Sequence, residues 1–108
     1  MFKRIVKRDG KIVKFNPEKI TEAIAKAGLA TEEFKYDRAK ALTDKVLEKA
    51  DEKITARTPN VEQIQDIVEE VLMESSFKKT ARAYFRYRQE RSRVRDAKSD
   101  LMMIYRTN

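Results

Sequence analysis

Residues 6–20, VKRDGKIVKFNPEKI, gather five cations, Lys7, Arg8, Lys11, Lys14 and Lys19, around an Asp9-Gly10 pair and just ahead of a helix start. Cations beside a tight turn and a helix amino terminus are suited to holding an anion, since both side-chain donors and free backbone N–H groups are at hand. An ordinary solvated hairpin would show the same residues, so the rest of the chain has to decide. Covalent and metal chemistry are poorly supplied. The chain has no cysteine and no histidine, which removes disulfides, thiolate sites, imidazole ligands and histidine bases. No carboxylate pair stands out for general acid–base work.

A second concentration of charge lies toward the carboxy terminus. Residues 77–95, FKKTARAYFRYRQERSRVR, carry eight cations and the single anion Glu90. That segment accounts for the whole formal charge of +7, and the other residues hold 17 cations and 17 anions. A balanced domain therefore carries one basic helix interleaved with aromatics. Such a helix suits a phosphate ligand or a nucleic acid, and it is also what a solvated face looks like.

The elements that must position these residues are readable in outline. With 108 residues, 41% apolar and 40% charged, the chain reads as one globular domain with a single core. No apolar run approaches membrane-spanning length and no signal-peptide core opens the chain, so the expected compartment is the cytoplasm. Asp9-Gly10 predicts a hairpin of strands near 3–8 and 11–15. A two-residue turn would pair Val6 with Val13 and Ile5 with Lys14, and a longer loop would shift that register. Asn16-Pro17-Glu18 opens a first helix, with Gly28 as its stop. A second helix is expected near 37–51, a short third strand near 53–57, a third helix after Thr58-Pro59-Asn60, and the basic helix from Lys78 to Arg95 or beyond. The expected class is α+β: a three-stranded sheet or a hairpin packed over a four-helix bundle.

Taken together, the opening stretch, the Thr58–Ile64 helix start and ARAYFRYRQER at 81–91 resemble the ATP-cone, the regulatory nucleotide-binding domain of ribonucleotide reductases. The same domain occurs in the repressor of the reductase genes. The resemblance covers about residues 3–92, and the run after it, SRVRDAKSDLM, looks most like the connector of anaerobic reductases. It divides the chain into a nucleotide-binding domain at 1–95 and a tail or connector at 96–108. It implies ATP or dATP as ligand, with or without Mg2+, and Lys7, Arg8 and Lys19 on the phosphates. By the same pattern Val6 and Ile20 line the base, Gly10 keeps the turn tight, and Asn16 contacts the nucleotide. Thr58 and Glu62 lie near base or sugar, while Tyr87, Arg88 and Arg91 approach from the last helix. Where many such domains carry an acid three positions after the turn glycine, this chain has Val13.

Each of these positions also has a plainer reading. Val6 and Ile20 suit a core, Asn16 and Thr58 suit helix caps, and Tyr87 suits bundle packing. Two functions remain from this stage. One is an allosteric ATP or dATP sensor, not itself an enzyme, acting on a reductase catalytic domain or subunit through nucleotide-dependent association or a homo-oligomer. The other is a nucleic-acid-binding module built on the basic helix. The tail residues 100–105, DLMMIY, are the expected association surface.

Overall fold

A computed structural model of the chain describes residues 1–107, with side chains described through Arg93. The elements run β1 (Arg4–Val6), β2 (Ile12–Lys14), α1 (Pro17–Ala30), α2 (Tyr36–Lys53), α3 (Val61–Glu74) and α4 (Lys78–Thr107). The expected association surface at 100–105 lies outside the described side chains. No described helix is long and apolar enough to cross a membrane.

The class is α+β, but the sheet has two strands, not three. After α2 ends at Lys53, residues 54–58 form no strand. The outer edge of β1 is met instead by the lead into α3. The Val6 N–H donates to the Pro59 carbonyl at 2.9 Å, and Val6 forms an isolated parallel bridge with Asn60. An edge that would otherwise present unpaired backbone groups is thereby partly covered.

The hairpin register also differs from the two-residue expectation. Ile5 opposes Val13 and Val6 opposes Ile12, with Lys7 N–H bonded to the Lys11 carbonyl at 2.8 Å. Residues 8–10 therefore form a three-residue loop. Gly10 N–H closes a turn onto the Lys7 carbonyl at 2.9 Å, and Gly10 itself sits at φ +87°. That is the three-residue solution of a turn followed by a left-handed residue, which needs positive φ at one position only. The shift by one residue exchanges faces. Ile5, Val13 and Phe15 share the face turned to the helices, where Ile5 packs on the core and Phe15 is buried. Val6 and the largely exposed Ile12 share the other.

The helices follow their apolar spacing. Ile24 on α1, Leu42, Val46 and Ala50 on α2, and Ile64, Ile67, Val68, Val71 and Leu72 on α3 are buried together with Tyr84 of α4. Helix α1 packs on α2 and α4, and α3 packs on the same two, so α4 lies between α1 and α3. The first polar start works as read, and at the third helix the cap is Asn60 rather than Thr58. The Asn16 side chain accepts from Glu18 N–H, and Asn60 with Gln63 forms a reciprocal capping box.

Gly28 is not the stop of α1. The helix runs on to Ala30, and the left-handed residue that ends it is Glu32 at φ 61°. Glu33 N–H reaches back to the Gly28 carbonyl and Glu32 N–H to the Leu29 carbonyl, the paired bonds of a Schellman ending. Gly28 is glycine for another reason: a Cβ there would lie 2.3 Å from the Phe34 ring. Phe34 in turn packs edge-on against Phe77, with ring centroids 4.7 Å apart. The same turn aims Glu33 at the start of α4, where its Oε1 accepts from Thr80 N–H at 2.6 Å and Thr80 Oγ1 at 2.8 Å. A carboxylate from the α1–α2 loop thus caps α4 from outside and fixes where the basic helix begins.

Candidate nucleotide-binding site

Three elements that are remote in sequence meet at one guanidinium. Arg8, in the hairpin loop, donates from Nη1 to Ser92 Oγ of α4 at 2.7 Å. Its Nη2 lies 3.5 Å from Glu62 Oε1 of α3. Arg88, one helical turn before Ser92, completes the group: its Nη2 donates to the Glu62 carbonyl at 3.4 Å. Its Nη1 pairs with Asp66 at 2.8 Å and Glu69 at 3.2 Å. The Pro59–Val6 backbone bond explains why these groups meet, since it locks the first turn of α3 beside the hairpin.

Burial works against the Arg88 charge, but the hydrogen bond to Asp66 and the two nearby carboxylates outweigh it and hold the guanidinium above its ordinary range. Arg88 is therefore a fixed cation with its balance inside the protein. In the hairpin, the Lys11 N–H bonded to the Asp9 carboxylate keeps that acid below its ordinary value, with help from the Lys11 and Lys7 charges. Asp9 is engaged in shaping the loop, while Lys7 and Lys11 on either side of it stay exposed to solvent.

Among the residues singled out from sequence, Arg8, Glu62 and Arg88 are joined directly, and Val6 is bonded to the residue that follows Thr58. Thr58 is half-buried and caps nothing; Asn60 is the cap. Lys7 and Lys19 are exposed. Asn16 is exposed, with its side chain engaged by Glu18 N–H. Ile20 is half-buried against the core. Tyr87 and Arg91 pair with each other, the guanidinium carbon 5.9 Å from the ring centroid, and among the described residues neither bonds the Arg8 group. Gly10 serves the loop conformation.

Sequence reading missed Ser92, Asp66 and Glu69. The signal was present in helical spacing: Ser92 stands four residues after Arg88, and Asp66 four after Glu62, so each shares a face with a residue already singled out. The chemistry on offer is anion binding by guanidinium and ammonium groups near a helix start. Among the described residues no group of three or more His, Cys, Asp or Glu side chains is arranged to hold a metal ion.

Comparison with known proteins places the chain among reductase sequences. The vitamin B12-dependent ribonucleoside-diphosphate reductase of Thermoplasma acidophilum is 42% identical over 91% of this chain. The alpha subunit of the Chlamydia muridarum ribonucleoside-diphosphate reductase is 39% identical over 85%, and the anaerobic ribonucleoside-triphosphate reductase of Escherichia coli is 34% identical over 94%. The chain spans only 13%, 10% and 14% of those proteins, respectively. The ATP cone domain matches residues 3–93, from the first strand through the Arg88–Ser92 turn, and the chain belongs to the ATP-cone family.

Proposed function

We propose that this domain binds an adenine nucleoside triphosphate, ATP or dATP, and reports it to a ribonucleotide reductase by changing which surfaces associate. The observation that carries the reading is the convergence of hairpin, α3 and α4 on Arg8, in a chain whose relatives over this span are reductases. A triphosphate brings about four negative charges and needs clustered cations and free N–H donors. Arg8 supplies a planar fork suited to phosphate. Lys7 precedes it in the hairpin and Lys19 lies in the first turn of α1, both exposed, and a helix amino terminus favours an anion. Mg2+ would arrive on the phosphates.

Regulation then requires that the nucleotide favour one of two states, because a ligand can shift an equilibrium only by its differential affinity. The basic helix is the natural carrier of that difference, since it touches the Arg8 group and continues away from it. Calorimetric titration of the chain with ATP, dATP, GTP and AMP tests the reading. Triphosphates are expected to bind more tightly than AMP, and Lys7→Ala and Arg8→Ala to weaken ATP without unfolding the domain. Absence of heat with ATP and dATP at millimolar concentration, with binding of a single-stranded oligonucleotide instead, would replace this reading with the nucleic-acid one.

A further inference from the structure

We propose that Glu62 is an internal counter-anion for Arg8, and that a nucleoside triphosphate must take its place in order to bind. This rests on the nucleotide reading above and gives Glu62 a role opposite to that of a ligand contact.

The geometry separates a fixed part from a displaceable part. The Arg8 side chain is only 23% exposed and its fork is divided: Nη1 bonds a neutral hydroxyl, Ser92 Oγ, while Nη2 faces the carboxylate of Glu62, its one ion-pair partner among the described residues. The Ser92 bond is short, at 2.7 Å, and part-buried. The Glu62 contact is longer, at 3.5 Å, and the Glu62 side chain is 60% exposed. Glu62 is therefore the partner that water reaches and that can leave without being stranded. Its backbone stays behind, because its carbonyl is held by Arg88. Arg88 is not offered to a ligand in the same way, since two carboxylates already balance it.

A phosphate approaching from solvent meets Arg8 Nη2 where Glu62 now stands. Two anions cannot share that donor at low cost, and the one with more charge and more acceptor oxygens wins. Ser92 meanwhile keeps the guanidinium oriented through the exchange. Freed from Arg8, Glu62 no longer ties the hairpin loop to the first turn of α3. Nucleotide binding is thus coupled to release of one link between the hairpin and the bundle.

The test is calorimetric titration of the full chain with ATP for wild type, E62Q, E62D, R8A and the R8A/E62Q double variant. E62Q is expected to bind ATP about two- to fivefold more tightly, the range that an exposed ion pair represents. E62D, which keeps the charge but draws the carboxylate back by one methylene, is expected to tighten binding as well. The E62Q gain is expected to vanish in the R8A background, because the pair is then already broken. Weaker or unchanged binding by E62Q overturns the proposal. A gain that persists without Arg8, or that E62D does not share, also overturns it, since both describe simple charge repulsion. Failure of wild type to bind ATP overturns the nucleotide reading itself, and this inference with it.

Discussion

Replacing Glu33 with Ala should destabilise the domain by about 2–3 kcal/mol, although Glu33 lies far in sequence from the helix it supports. The substitution removes two hydrogen bonds, at 2.6 and 2.8 Å, that the Thr80 N–H and hydroxyl donate to one carboxylate oxygen. Thr80 is 0% exposed, so water cannot readily replace the lost acceptor for its N–H. Loss of an N-terminal cap typically costs about 1 kcal/mol, and a hydrogen bond to a charged group is worth about 1.5–3 kcal/mol. The Thr80 hydroxyl keeps one contact, with Thr31 Oγ1 at 2.9 Å, which limits the total to the lower part of the combined range. For a domain near this size each kcal/mol moves Tm by about 4–8 °C, so thermal and urea denaturation both resolve the effect. Glu33→Gln keeps a carbonyl acceptor and loses only the charge, so it should cost about half as much. A Glu33→Ala change below about 0.5 kcal/mol, within the usual surface range, would refute the assignment of Glu33 as the cap of α4. So would equal costs for the two substitutions.

Two further outcomes follow from the same corner of the fold. Glu32→Gly should raise stability by about 0.5–1 kcal/mol, read as a higher urea midpoint at unchanged slope, because the left-handed backbone at φ 61° is costly for a residue with a Cβ. Gly28→Ala should lower stability by about 1–2 kcal/mol, since overpacking against Phe34 outweighs the helix propensity gained. That penalty should shrink when Phe34 is also replaced by Ala; a Gly28→Ala protein more stable than wild type would show that the ring swings aside freely.

Much of this fold was written locally. Asn16-Pro17-Glu18 and Asn60–Gln63 are self-contained start signals, and the apolar spacing of α3 leaves one choice of buried face. What failed was decided by contacts between elements. Gly28 reads as a stop because glycine often is one, yet it is small because Phe34, brought by the next loop, lies on it. Asp9-Gly10 reads as a two-residue turn, but the three-residue loop lets Ile5, Val13 and Phe15 share the face toward the helices. The third strand near 53–57 was an argument from β-propensity, and the edge of β1 is met by Pro59 and Asn60 instead. At the site, the cations were legible as composition, and the meeting of hairpin, α3 and α4 at Arg8 was not. Ser92 is an undistinguished serine until the hairpin is folded against α4.

The most direct measurement on the central claim is amide chemical-shift mapping of the full chain during titration with ATP. The account predicts that residues 6–11 of the hairpin, 60–63 at the start of α3 and 88–92 of α4 shift together and saturate at one ligand concentration. Exposed basic positions such as Lys79, Arg82 and Arg86 should respond weakly and without saturating at that point. Saturable shifts confined to those outward positions, with residues 6–11 unmoved, would contradict it.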